Sequence, residues 1–457
     1  MGKLFGTDGV RGIANQTLTG DLAFKLGKFG ARVIAKHHEN LRDPKRILIG
    51  HDGRISADML VSALISGFTS EGYNVHNAGL IPTPAIAALT KADKYSLGVV
   101  VSASHNTFDY NGIKFFTSSG YKLADEVEQE IEDLVFASKD NPSIIEGGVA
   151  AEHLGRVYNL EIATSKYLEI LLNNISPDAK GLRIAIDCAN GASVHTAETL
   201  FKMIGCEVVV RLGSSVNGTN INDSCGSTHP EQLSETVRAN KCDLGFAFDG
   251  DADRLIAINR NGELVDGDQV MSIIALALKR QDKLNNGGFV ATIMSNLGLH
   301  KFCEREGLNL VLSGVGDRYV IEKMRAENYN FGGEQSGHVI LHDYQSTGDG
   351  QLTALALIEA LSVLNIDLSQ ADEVMQVYPQ KMINLKVKEE LKHRIVNDER
   401  IKLFVEKLED KLDGNGRILL RASGTEPVVR IMAEANTEEL AKVIVDSIES
   451  EILKYYV

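Results

Sequence analysis

The chain has 457 residues, 44% of them apolar and 24% charged, and a net charge of −15. That length exceeds a single core and predicts two to four soluble domains, while the acidic balance excludes broad binding to nucleic acid or anionic membrane, which needs a basic face. Five scattered cysteines form no C-x-x-C pair, which excludes a disulfide framework or a zinc site and fits a reducing cytoplasm; no apolar run approaches membrane-spanning length.

In chain order, Gly6-Thr7-Asp8-Gly9-Val10-Arg11-Gly12 first sets an arginine among glycines, which let backbone come close to a ligand. A strand over 46–52, a helical pattern over 56–71 and a strand over 73–76 follow. The apolar strand Leu97-Gly98-Val99-Val100 then runs into Ser102-Ala103-Ser104-His105-Asn106. Serine beside histidine suggests a nucleophile, although such pairs are common in turns and G-x-S-x-G is absent. With His105, Lys114 could neutralise a phosphate on Ser104 or serve in acid and base roles.

After a loop-like stretch over 139–143 and an amphipathic pattern over 164–174, the rhythm returns. A strand over 182–188, a helix over 194–204 and a strand over 207–210 lead to another strand over 241–248. It opens into Asp249-Gly250-Asp251-Ala252-Asp253-Arg254. Three carboxylates at alternate positions repel one another unless a cation sits among them, and an oxygen-loving divalent ion such as Mg²⁺ fits. An EF-hand is excluded, because its sixth and twelfth positions hold Arg254 and Arg260 rather than Gly and Glu. A solvated acidic turn is the bland alternative, and the apolar residues on both sides of the motif disfavour it.

A third strand over 288–294 completes a βαβ rhythm that predicts largely parallel, buried sheets in three related domains. Gly332-Gly333-Glu334-Gln335-Ser336-Gly337-His338 suits a polyhydroxylated ligand, or equally a glycine-rich turn with a structural Glu. Beyond 364–380 the pattern changes. Alternation over 383–387, strands over 417–421 and 428–432 and helices over 397–412 and 437–454 predict a small α+β domain with an antiparallel sheet. Its loop Arg421-Ala422-Ser423-Gly424-Thr425-Glu426-Pro427, with Arg430 beyond, reads as a phosphate cradle or as a hairpin turn with solvated arginines. The expected domains are 1–153, 154–254, 255–368 and 369–457.

Singly these loops are modest signals. Together, one per expected domain and in this order, they resemble the α-D-phosphohexomutase superfamily over essentially the whole chain. Ser102 to Asn106, Gly333 to His338, and Asn220-Ile221-Asn222 followed by Cys225-Gly226-Ser227-Thr228-His229-Pro230 resemble its bacterial amino-sugar branch. Two departures are Thr107 where the family usually has Pro, and His51-Asp52-Gly53-Arg54 where it often has Lys-Asp-Thr-Arg.

The resemblance implies an α/β protein in which three related mixed-sheet α/β domains and a C-terminal α+β domain surround a central cleft. It implies a cytoplasmic mutase that interconverts glucosamine 6-phosphate and glucosamine 1-phosphate through phospho-Ser104. One Mg²⁺ per subunit would be held by Ser104, Asp249, Asp251 and Asp253, and glucosamine 1,6-bisphosphate or glucose 1,6-bisphosphate would be the activator. Arg11, His105 and Lys114 would surround the reacting phosphate, and His338 is an acid/base candidate. Arg254, Glu334 and Ser336 would face the sugar, and Arg421, Ser423, Gly424, Thr425 and Arg430 would grip the other phosphate, with the last domain as the natural lid. Partners would be sugar phosphates, with a homodimer left open. The rivals are a sister mutase for glucose or mannose phosphates, a Mg²⁺-dependent phosphatase and a sugar-phosphate sensor.

Overall fold

A computed structural model describes residues 4–6, 8–37, 45–423 and 427–456. The chain divides into two compact units, one of residues 1–294 with 308–371, the other of residues 295–307 with 372–457. The first unit carries three sheets. A seven-stranded sheet runs in the order Phe5–Gly6, Gly9–Ile13, Tyr110–Thr117, Leu97–Val101, Arg46–His51, Asn74–Leu80, Val157–Asn159. A five-stranded sheet runs Leu264–Val265, Leu255–Asn259, Leu244–Phe248, Arg183–Asp187, Glu207–Leu212. A four-stranded sheet runs Asn309–Ser313, Gly288–Thr292, Phe331–Gly333, Val339–Leu341.

The apolar runs read from the sequence are the central strands: every residue of Leu97–Val101, Leu244–Phe248 and Gly288–Thr292 is buried. Strands covered on both faces lose the alternation of a half-exposed strand. Each sheet is mixed rather than largely parallel. A parallel centre carries antiparallel returns: Tyr110–Thr117 beside Leu97–Val101, Leu255–Asn259 beside Leu244–Phe248, and Val339–Leu341 beside Phe331–Gly333. A return needs only a short turn, whereas a parallel neighbour needs a crossover. In register, Val101 faces Ile113, Phe248 faces Leu255 and Gly333 faces Val339. The Ser104, three-Asp and Glu334 loops are therefore the turns of these returns. The five-stranded sheet also continues past the boundary expected at Arg254, because Leu255–Asn259 pairs with Leu244–Phe248 and Leu264–Val265 pairs in turn with it.

The second unit holds a three-stranded antiparallel sheet, Gln380–Lys386, Val428–Ala435, Gly416–Ala422, with Val428–Ala435 central. Helices Glu399–Asp410 and Glu438–Tyr456 pack with it. The helix Leu297–Glu306, which follows the third strand in the sequence, belongs to this unit. Asn296 Nδ2 donates to Tyr378 O and Tyr378 N donates to Asn296 Oδ1, each at 2.9 Å, and Leu297 N donates to the buried Glu434 Oε2 at 2.8 Å.

In the first unit, helices Gly20–His37 and Ala57–Ser70 cross closely at two glycines. A Cβ at Gly67 would meet the Phe24 carbonyl and lie 2.6 Å from Lys28 N. Overpacking of this kind costs about 1–3 kcal/mol. Gly67→Ala is expected to lower the urea midpoint by a corresponding amount with an unchanged slope; an unchanged midpoint would show that the crossing yields freely.

Candidate active site

The Ser104 loop is built on the end of a buried strand. Ser102 Oγ donates to Asp52 Oδ2 at 2.6 Å and accepts the Ser104 N–H at 2.8 Å. Arg54 lies wholly inside. Its Nε donates to Asp52 Oδ2 at 2.8 Å, its Nη2 to Ser104 O at 2.9 Å and Asn106 O at 2.8 Å, and its Nη1 to Tyr110 O at 3.0 Å and to Thr107 O. Four carbonyls and one carboxylate thus saturate a guanidinium, whose planar fork suits such use. Ser104 has φ of +53°, a left-handed conformation that costs a residue with a side chain about 1–2 kcal/mol. Its hydroxyl donates to Asp249 Oδ2 at 2.6 Å and lies 3.4 Å from His105 Nδ1.

Asp249, Asp251 and Asp253 are buried, with one oxygen from each inside a 4.8 Å cluster. Asp251 Oδ2 accepts Thr83 Oγ1 at 2.7 Å and Lys114 Nζ at 2.9 Å. Lys114 Nζ also lies 3.0 Å from Asp8 Oδ2 and 3.8 Å from Asp253 Oδ2. Among the described residues no hydrogen-bond donor reaches Asp251 Oδ1 or Asp253 Oδ1. Buried, unsatisfied carboxylate oxygens next to a serine oxygen are the donor set of a hard divalent cation, so the residues fit one.

The electrostatics express the same surplus. Burial, then Asp253 and Asp251, push the Asp249 carboxyl well above the usual range, against Arg254 and the Ser104 hydrogen bond. For Lys114, burial favours the neutral amine, but Asp251, Asp8 and Asp253 outweigh it and keep the ammonium charged. Burial, then Arg254 and Arg11, lower His105 to about 4, so that ring is neutral near pH 7. Burial opposes charge on His338 too, yet Asp253, then Asp317 and Glu334, raise it to about 9. The geometry pulls the other way, since His338 Nε2 accepts the Gly348 N–H at 3.1 Å, which requires a free lone pair on that nitrogen. A cation neutralising Asp253, 3.6 Å from Nδ1, would remove the leading attraction. We therefore favour the neutral ring with its proton on Nδ1 once the triad is filled.

Arg254 extends the triad, with Nε 3.8 Å from Asp253 Oδ1 and without a hydrogen-bond acceptor among the described residues. Glu334 Oε1 accepts the Gly316 N–H at 3.1 Å, Ser336 is exposed on the same turn, and Gly337 is left-handed at φ +89°. A side chain at Gly337 would strike the Leu255 carbonyl. Arg11, partly exposed, pairs with Asp8. The structure thus groups Ser104, His105, Lys114, Arg11, the three aspartates, Arg254 and His338, with Glu334 joined through its effect on Arg254 and His338.

Sequence reasoning missed Asp8, Lys122, Asp317 and Thr83. Lys122 Nζ bridges Asp8 Oδ1 and, at 2.6 Å, Asp317 Oδ2. Their signal was pairwise in space, with no spacing in the chain to announce it.

In the second unit, Arg421 and Arg430 occupy directly opposed positions of the antiparallel pair. Like charges so placed are unfavourable, and burial together with Arg430 lowers the Arg421 guanidinium. An anion between them would relieve this. Ser423 is buried beside them and donates its N–H to Val428 O at 3.0 Å; Gly424 and Thr425 lie outside the described residues.

Four family models, alpha/beta/alpha domains I, II and III and the C-terminal domain of phosphoglucomutase/phosphomannomutase, match residues 2–142, 165–262, 266–378 and 382–451 in that order. The chain belongs to the α-D-phosphohexomutase superfamily. A phosphoglucosamine mutase of Caldanaerobacter subterraneus is 47% identical over 99% of this chain and 100% of its own length. That of Streptococcus agalactiae is 47% identical over 98% of each chain, which puts the present chain in the bacterial phosphoglucosamine mutase branch. The fold recurs in a phosphoglucomutase/phosphomannomutase family protein of Burkholderia thailandensis, with a TM-score of 0.78 at 24% identity over 99% and 98% of the two chains. It recurs also in an Aspergillus fumigatus N-acetylphosphoglucosamine mutase solved with GlcNAc-6P and magnesium, with a TM-score of 0.67 at 16% identity over 99% and 96%.

Two measurements check the site. A cation present at about 100 times its Kd stabilises by about 2.7 kcal/mol, so Mg²⁺ is expected to raise the melting temperature of the wild type and not of Asp251→Asn; equal shifts would place the cation elsewhere. Arg421→Ala removes a charge-assisted contact and is expected to lower kcat/KM roughly 10- to 100-fold, and unchanged kinetics would leave the opposed arginines without an anion to hold.

Proposed function

We propose that this chain interconverts glucosamine 6-phosphate and glucosamine 1-phosphate, in the route to UDP-N-acetylglucosamine and peptidoglycan precursors. The observation that carries this is the Ser104 hydroxyl bonded to Asp249 inside a buried acidic triad, with Lys114 beside it. The names of the relatives at 47% identity supply the amino sugar.

The resting enzyme carries phospho-Ser104. Its phosphorus–Oγ bond breaks as a new bond forms to O1 of glucosamine 6-phosphate; the proton lost from O1 is matched by one gained at the released Ser104 Oγ, and the 1,6-bisphosphate results. The bisphosphate then reorients, its 6-phosphoryl group returns to Ser104 Oγ as that hydroxyl's proton is given up and O6 gains one, and glucosamine 1-phosphate departs. Such transfers depend on alignment and on neutralising charge at the phosphoryl oxygens. Lys114 supplies a fixed ammonium, held between Asp251 and Asp8. Arg254 and Arg11 lie near the same region, and His338 would take the proton of the sugar oxygen only by releasing the Gly348 N–H from its Nε2. Mg²⁺, held by Ser104, Asp249, Asp251 and Asp253, would neutralise phosphoryl oxygen charge when bound. Glu334 and Ser336 would bind sugar hydroxyls, while Arg421, Ser423, Gly424, Thr425 and Arg430 would grip the phosphate that is not reacting.

We assign glucosamine 1,6-bisphosphate or glucose 1,6-bisphosphate as activator, and a cytoplasmic setting. Among the described residues no single helix is long and apolar enough to cross a membrane.

The test is turnover with Mg²⁺ and trace 1,6-bisphosphate on glucosamine 6-phosphate, glucose 1-phosphate and mannose 1-phosphate. Highest kcat/KM on the glucosamine substrate is expected, with no turnover in Ser104→Ala at an unchanged melting temperature. Preference for a neutral sugar would overturn the substrate, phosphate release without isomerisation would mark a phosphatase, and full activity in Ser104→Ala would overturn the mechanism.

A further inference from the structure

The segment Asn220-Ile221-Asn222 carries no group that the chemistry above uses. In the structure it reaches the nucleophile. Asn222 Nδ2 donates to Ser104 O at 2.9 Å and to Asn106 O at 3.0 Å. These are the same two carbonyls that Arg54 Nη2 holds from the other side, at 2.9 and 2.8 Å. A carbonyl oxygen has two lone pairs, and at Ser104 both are taken by fixed side chains. Arg54 comes from the same sheet as the Ser104 loop; Asn222 comes from the loop that follows the edge strand of the five-stranded sheet, the sheet that carries the three aspartates.

The Asn222 loop is itself braced. The buried Asp187 carboxylate accepts the Ala189 N–H at 2.9 Å and the Gly226 N–H at 2.8 Å. Asn222 N donates to Ala189 O at 2.9 Å, and Asn190 Nδ2 donates to Asn220 O at 3.2 Å. Asn222 is 5% exposed and left-handed, with φ +57°, a conformation asparagine tolerates better than most residues. Gly250, between the first two aspartates, closes the arrangement: a Cβ there would stand 2.6 Å from Ser104 O and 2.9 Å from Asn222 Nδ2.

We infer that Asn222 is a positioning residue for phosphoryl transfer. Its amide clamps the Ser104 and Asn106 carbonyls, holds Ser104 in its left-handed turn, and so sets the Ser104 oxygen against the aspartate loop of the neighbouring sheet. This rests on the function proposed above, because it gives Ser104 the role of phosphoryl carrier.

Two variants separate the donor from the backbone. Asn222→Gly accepts the left-handed conformation and loses only the side chain. Asn222→Asp keeps size and conformation but turns acceptor oxygens towards two carbonyls. For the full-length protein with Mg²⁺, the measurements are kcat and KM on glucosamine 6-phosphate, the melting temperature, and the single-turnover rate of Ser104 phosphorylation by glucose 1,6-bisphosphate, read by intact mass. Misplacing a reacting group by about 1 Å can cost about 10²-fold. We expect kcat and the phosphorylation rate to fall together, roughly 10- to 100-fold, with KM within about twofold and the fold retained. Should one variant fail to fold, the other decides. Wild-type kcat in Asn222→Asp, or a loss in KM alone, overturns the inference. A wild type that phosphorylates Ser104 but isomerises no sugar overturns the proposed function instead, and the phosphorylation rates of the variants still decide the role of Asn222.

Discussion

Three buried carboxylates on one short turn are the constraint to which the rest of the site answers. Placing like charges a few ångströms apart away from water is unfavourable unless cations and donors surround them. The chain supplies Lys114 and Thr83 to Asp251, Arg254 and His338 to Asp253, and the Ser104 hydroxyl to Asp249. The need spreads outward, since Lys114 also meets Asp8, and Lys122 then joins Asp8 to Asp317. Carboxylates still outnumber permanent cations, and the orphaned oxygens of Asp251 and Asp253 mark where the balance is left for a divalent ion. The Ser104 hydroxyl and its countercharges thus belong to one connected network, the arrangement that electrostatic preorganisation requires.

The sheet topology explains why the reactive groups stand at the tips they occupy. A parallel strand followed at once by an antiparallel return places the intervening loop at the end of the sheet while pinning both of its ends in a ladder of hydrogen bonds. In the first unit the Ser104, three-Asp and Glu334 loops use this device, and in the second the Arg421 loop spans an antiparallel pair. Chemistry sits on loops whose anchors cannot wander.

Legibility followed from how local each signal was. Continuous apolar runs such as Leu97–Val101 and Leu244–Phe248 showed in the sequence because burial on both faces leaves a compositional mark, and helices over 164–174 and 397–412 showed through their periodicity. The mixed character of the sheets came from the family resemblance and not from the βαβ rhythm, because an antiparallel return and a parallel neighbour can share the same apolar run. The three aspartates were plain, since alternate carboxylates between apolar strands are hard to explain otherwise. Asp8, Lys122 and Asp317 were not, because their partners lie 114 and 195 residues from Lys122 along the chain. Arg54 shows in the sequence only as the arginine retained in the loop over 51–54; that its guanidinium is spent on Asp52 and on backbone carbonyls shows only in the structure. The helix Leu297–Glu306 lies within the expected third domain and within the matched domain III, and only the bonds of Asn296 and Leu297 show that it packs with the second unit.

That helix has a mechanical consequence. Because residues 295–307 belong to the second unit while the chain on either side belongs to the first, the backbone crosses between the units three times, at 294–295, 307–308 and 371–372. No cut at a single peptide bond can therefore release the second unit as a contiguous, complete fragment.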